Sequence, residues 1–148
     1  MKLTTFDAGN GARVGLVTDA GVVDLTQHAG VTSLRGLIAD GKIADMSAHA
    51  GAAADHALDD VTFLPVIPDP EHIWCVGVNY MDHLQEAIDA GLPRSKSEFP
   101  MIFGRYADTM VGHKQNLMKA PIVHKLDYEC ELAVIIGKGG RYIAKEDA

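Results

Sequence analysis

The sequence predicts an α+β fold, with a small β-rich N-terminal domain over residues 1–69 and a mixed domain over residues 70–148. Three observations predict it. The first 25 residues alternate short apolar runs with glycine-containing turns, the chemistry of successive hairpins. Two prolines one residue apart, in Pro68-Asp69-Pro70, favour an extended link and exclude helix, which marks a boundary. Beyond them the texture changes to continuous apolar runs, typical of strands covered on both faces, around a segment of helical period.

In the first domain, residues 2–6, 12–18 and 22–25 read as strands, separated by the turn sequences Asp7-Ala8-Gly9-Asn10-Gly11 and Asp19-Ala20-Gly21. Thr32 or Ser33 caps a short helix in which Leu34, Leu37 and Ile38 share a face, and Gly41 ends it. The alanine-rich stretch 44–58 reads as a second helix, with His49 and His56 as solvated surface residues. Residues 61–66 read as a further strand.

In the second domain, residues 73–77 are expected as a covered strand with Trp74 in the core, followed by a turn at Val78-Asn79-Tyr80. Residues 81–90 fit a helix ended by Gly91 and Pro93, residues 101–104 a strand, and residues 109–121 mostly loop. Residues 126–137 read as a buried strand that carries Asp127, Glu129 and Glu131 on one face and Tyr128, Cys130, Leu132, Val134 and Ile136 on the other. The last residues, from Ala144 to Ala148, resemble a first helical turn with acids in it. One turn alone is not stable, so the sequence reads as a fragment or a truncated gene product.

Composition narrows the classes of function. Of 148 residues, 47% are apolar and 22% charged, ordinary for a globular protein. The net charge of −7 argues against nucleic acid or an anionic membrane surface as the main partner. No apolar run approaches the roughly 20 residues of a membrane span, and no basic-then-apolar leader opens the chain. Cys75 and Cys130 sit in apolar runs and read as buried, reduced thiols of a cytoplasmic protein.

Two constellations carry chemistry. On a strand, the Cα atoms of Glu129 and Glu131 stand about 6.6–7 Å apart on one face, so their side chains can converge on one hard cation. Oxygen ligands point to Mg²⁺, Mn²⁺ or Ca²⁺ and away from zinc. The same pattern also fits an edge strand with a solvated face. Asp127 is open as a third ligand or as a strand-start residue. Three residues apart on a helix, His83 and Glu86 can hydrogen-bond, and a carboxylate that orients an imidazole makes a general base. A solvated helix face fits that spacing equally. Arg105 and Tyr106 follow a strand and are candidates to bind a substrate carboxylate, as against plain surface residues. His113 and Lys114 lie in a loop and are open as part of a lid. Gly137-Lys138-Gly139-Gly140 lacks the spacing and Ser/Thr of a phosphate loop.

These residues resemble a known family. The run Val76-Gly77-Val78-Asn79-Tyr80-Met81-Asp82-His83-Leu84-Gln85-Glu86, then Pro100-Met101-Ile102-Phe103, then Val111-Gly112-His113, then the 126–138 strand, are similar to the fumarylacetoacetate hydrolase superfamily. The likeness is nearest to its bacterial acylpyruvate hydrolase and 2-oxo acid hydratase-decarboxylase branch. It implies that the second domain is the first part of a mixed β-roll catalytic domain, in a homodimer holding Mg²⁺ or Mn²⁺. It implies Glu129 and Glu131 as metal ligands, with a third ligand Asp and a Lys downstream of residue 148, and His83 with Glu86 as the water-activating dyad. The implied reaction cleaves a carbon–carbon bond of a small 2,4-dioxo acid through a metal-chelated enolate. Decarboxylation or hydration of a 2-oxo acid is the alternative in the same superfamily. An inactive fragment and a structural metal-binding module are the non-enzymatic alternatives.

Overall fold

The computed structural model describes residues 1–92, 98–126, 128 and 130–148. The chain is a mixture of strands and short helices, an α+β architecture, in two compact units. One unit comprises Met1–Pro68 with Val111–Ala148, the other Asp69–Met110.

The first unit is built on strands β1 (Lys2–Asp7), β2 (Ala12–Thr18) and β3 (Gly21–Asp24), joined as successive hairpins, with the two-residue strand β4 (Thr62–Phe63) on the far side of β1. All pairings are antiparallel, with Leu3 opposite Leu16 and Leu16 opposite Val23. Alternation then places Leu3, Val14, Leu16 and Val23 on one face. There they meet Leu25 of helix α1 (Leu25–Ala29), Leu34 and Leu37 of helix α2 (Leu34–Ala39), and Met46. Burying each such side chain stabilises the fold by about 1.5–3 kcal/mol.

Local chemistry sets the ends of these helices. Asp24 accepts a hydrogen bond from the Gln27 N–H and so caps α1, which no sequence reading anticipated. Ser33 caps α2 as expected, accepting from the Gly36 N–H at 3.2 Å. Gly15 is required by close approach: a Cβ there would lie 2.4 Å from Val22 and 2.9 Å from the Phe6 ring.

The alanine-rich helix is not formed. Residues Ile43–His49 make a 3₁₀ helix, and only a short turn, Leu58–Asp60, follows. Alanine propensity cannot hold a helix that has no apolar stripe to bury, and Met46 is the one fully buried residue of Ile43–His49. Hydrogen bonds to β3 claim the stretch instead, with the Asp55 N–H donating to Val22 O and the Val22 N–H to His56 O. His49 and His56 are accordingly half-buried instead of solvated. The His56 ring stands 5.5 Å from that of Phe6.

In the second unit, strand β5 (Ile73–Gly77) pairs antiparallel with β6 (Met101–Arg105), Ile73 opposite Arg105 and Gly77 opposite Met101. Helix α3 (Met81–Asp89) lies between them in sequence. Gly91, at φ 75°, ends α3 as expected, and the Leu92 N–H returns to Ala87 O. The strand is not covered on both faces. Trp74 is 66% exposed, Cys75 only half-buried, and Leu84 is the fully buried apolar side chain of α3.

The 126–137 strand is not formed among the described residues either. Among the described residues, none between 126 and 143 belongs to a strand, and Cys130, Leu132, Val134 and Ile136 are all exposed. A strand exists only through a neighbour that satisfies its backbone and covers its apolar face. No strand pairing of the chain supplies one to these described residues.

Candidate functional site

The site candidates of the second unit follow from one strand–turn–helix connection. Chain leaving β5 turns at Val78, whose φ of 50° puts a β-branched residue in the left-handed region. That conformation costs roughly 1–3 kcal/mol and is concentrated at functional turns. The sequence had signalled the turn but not the strain. Tyr80 then opens α3, with the Leu84 N–H donating to Tyr80 O.

His83 and Glu86 both lie on α3, three residues apart, so their side chains project as neighbours one turn along the helix. His83 is half-buried and Glu86 exposed. That asymmetry suits an imidazole shielded by protein with a solvated carboxylate to orient it. On the same helix Gln85 donates to Asp89 at 2.8 Å. Arg105 ends β6, and its guanidinium carbon stands 5.6 Å over the centre of the Phe103 ring. That distance is within cation–π range, and Arg105 is exposed, so its N–H groups are accessible to a carboxylate. Tyr106, next in sequence, is 79% exposed. All four of these residues belong to the unit Asp69–Met110.

The acidic candidates are placed differently. Glu131 is exposed in an irregular stretch of the first unit, while Asp127 and Glu129 lie outside the described residues. Carboxylate oxygens have the right hardness for Mg²⁺ or Mn²⁺. Among the described residues, however, no three His, Cys, Asp or Glu side chains are gathered to hold a metal ion. Glu129, one of the two expected ligands, lies outside those residues, and no chemical step is assigned to a metal. His113 packs edge-on against Phe63 at 5.7 Å, and Lys114 pairs with Asp59 at 3.3 Å. Both are explained by packing within the first unit.

A further polar cluster, in the first unit, is one the sequence did not single out. Asp24, 1% exposed, accepts from Arg13 Nε at 2.5 Å and lies 3.6 Å from His56 Nε2. Burial alone would push its carboxyl up, but the bonds from Arg13 and from the Gln27 N–H, with His56 behind them, hold it below the usual aspartate range. Asp55 accepts the Asp24 N–H, and His28 Nε2 at 2.9 Å. Its carboxyl is also depressed, by that backbone hydrogen bond first and, against some burial, by His28. The cluster ties residues 55 and 56 to β3. The legible signal was Asp24 three residues before Gln27, the spacing of a capping box.

Among the described residues, no helix is long and apolar enough to cross a membrane.

Residues 72–148 match the family model described as fumarylacetoacetate (FAA) hydrolase C-terminal. Oxaloacetate tautomerase FAHD2A, a mitochondrial protein of Bos taurus, is 42% identical over 89 residues, which is 60% of this chain and 27% of that protein. Oxaloacetate tautomerase YisK of Bacillus subtilis (strain 168) is 42% identical over 96 residues, 63% of this chain and 31% of its own length. A Xenopus laevis relative named oxaloacetate tautomerase fahd2, mitochondrial, aligns with the whole of this chain at 31% identity and 48% of its own length. The chain therefore spans half the length of these relatives or less. The crystal structure of a "putative HpcE protein" from Mycobacterium smegmatis superposes with a TM-score of 0.53, at 26% identity, over 75% of this chain and 38% of that one.

Proposed function

The chain belongs to the fumarylacetoacetate hydrolase C-terminal family, and from that premise we propose that its chemistry is enzymatic proton transfer beside the carbonyl of a small 2-oxo acid. The observation that carries this reading is the placement of His83 and Glu86 one turn apart on α3, directly after the strained turn at Val78 and inside the matched region. The names of the relatives favour keto–enol interconversion of a 2-oxo dicarboxylic acid over the carbon–carbon hydrolysis expected from sequence. Both reactions share an enolate.

Each residue has one task. An imidazole nitrogen of His83 takes a proton from the carbon next to the 2-oxo group. The C–H electron pair becomes the C=C bond, the C=O π pair moves to the oxygen, and the His83 imidazolium returns its proton to that oxygen, giving the enol; the reverse order restores the ketone. Glu86 fixes the ring orientation of His83 and stabilises the imidazolium while it carries the proton. Arg105 holds a substrate carboxylate through two parallel N–H bonds, its guanidinium kept in place by Phe103, and the Tyr106 hydroxyl donates to the same anion.

The test follows the decay of enol oxaloacetate in the presence of this chain. A general base contributes about 10²–10⁴-fold, so His83→Gln removes the catalysed decay and Glu86→Gln slows it while displacing its pH profile. Arg105→Ala raises KM. Catalysed decay that survives His83→Gln unchanged overturns the assignment.

A further inference from the structure

Of the asparagines in the chain, Asn10, Asn79 and Asn116, only Asn10 is followed by glycine. An asparagine side chain is open to attack by the main-chain nitrogen of the next residue, which closes a five-membered imide ring. The side chain of that next residue decides how easily the nitrogen arrives. Tyr80 follows Asn79 and Leu117 follows Asn116, and their bulk stands in the way. Gly11 has no side chain to obstruct it.

The fold leaves this pair free to react. Asn10 and Gly11 are exposed in the connection between β1 and β2. A Cβ built on Gly9 or Gly11 would meet no heavy atom within 4 Å, so the space around the reacting amide is open. The β1–β2 pairing ends at Asp7 opposite Ala12, which leaves residues 8–11 outside the ladder. Asp7 clamps the connection instead. Its Oδ1 accepts from the Gly9 N–H at 2.7 Å and from the Gly11 N–H at 3.0 Å. The attacking nitrogen is thus itself the donor to a carboxylate. Ring closure needs that nitrogen to lose its proton. A hydrogen bond to the protonated amide opposes the loss, and so does a negative charge beside the anion that would form.

We propose that Asn10 is a self-modification site, converted to isoaspartate and aspartate at a rate restrained by Asp7. The Gly11 nitrogen gives its proton to solvent and bonds to Asn10 Cγ. The side-chain nitrogen takes up a proton and leaves as ammonia. Water then opens the imide. Cleavage between the ring nitrogen and Cγ gives aspartate. Cleavage between that nitrogen and the main-chain carbonyl carbon gives isoaspartate, in which the backbone runs on through Cβ and Cγ. In sum, water is consumed, ammonia is released and a carboxylate is gained at the end of the hairpin. The modification neither requires nor tests the chemistry assigned to His83.

Incubating the whole chain at neutral to mildly alkaline pH, then digesting it with trypsin for mass spectrometry, tests the proposal. Cleavage after Lys2 and Arg13 isolates Asn10 in the peptide 3–13, apart from Asn79 and Asn116. The expected result is a mass gain in that peptide equal to the difference between an acid and an amide. An isoaspartyl methyltransferase should then methylate the aged peptide. Asn10→Gln abolishes both signals. Asp7→Ala and Asp7→Ser each quicken the gain several-fold, and the wild-type chain unfolded in urea also outpaces the folded one. No gain in the folded chain by the time the unfolded chain has converted, or an equal rate at Asn79 or Asn116, would overturn the site. Rates in Asp7→Ala and Asp7→Ser no faster than wild type would overturn the restraint.

Discussion

Residues 12–24 and residues 130–143 both belong to the first unit, and both are rich in alternating aliphatic side chains, yet they have opposite fates. Val14, Leu16 and Val23 are at most 2% exposed and lie in the paired strands β2 and β3, against α1 and α2. Val134, with the same side chain and the same alternation around it, lies in no strand and is exposed. The difference is not propensity. Residues 12–24 have turns that fold them back on themselves and two helices that cover the result, so each hairpin supplies the neighbour its strands need. Residues 130–143 have no such neighbour among the described strands. Apolar alternation therefore reports what a segment can bury, and contact decides whether it does.

Perturbations of graded size sharpen this contrast. Leu25→Ala, at a side chain with no exposure, is expected to destabilise the fold by about 3 kcal/mol, read from the midpoint of urea unfolding. Asp24→Asn should lose about 2–3 kcal/mol by leaving Arg13 without its carboxylate. It also changes the pH dependence. Asp24 and Asp55 have folded-state carboxyls depressed below their unfolded values. Their contribution to stability is thus complete above about pH 4, and is lost as the pH falls from there through the folded-state values. Wild-type melting temperature should fall in that window, and Asp24→Asn should flatten the fall. Ser33→Ala removes one cap and should cost about 1 kcal/mol. Val134→Ala, at dilute concentration, should stay within about 0.5 kcal/mol of wild type. A Val134→Ala loss as large as that of Leu25→Ala would erase the comparison.

How much of this was legible in the sequence follows the same physics. The hairpins and the α2 cap rest on turn and capping residues that act within four positions, so the expected strand 12–18 and the observed β2 coincide. Helix α3 with His83 and Glu86 was equally local, its end fixed by Gly91. Stretch 44–58 was misread because long-range bonds from Val22 to Asp55 and His56 outcompete alanine propensity. Trp74 was placed in a core on the strength of an apolar run, but among the described residues its two-stranded sheet offers it one neighbouring strand. The acidic residues were legible as a chemical pattern. Of the three, Asp127 and Glu129 lie outside the described residues, and Glu131 is exposed.

Hydrogen exchange resolved residue by residue, at a concentration where the chain is monomeric, tests that contrast most directly. The expected result is strong protection of amides in β1, β2 and β3, with residues 130–143 exchanging near the rate of unstructured peptide. Protection of Val134 equal to that of Val14 would show that the late segment finds a strand partner within its own chain, and would contradict the account.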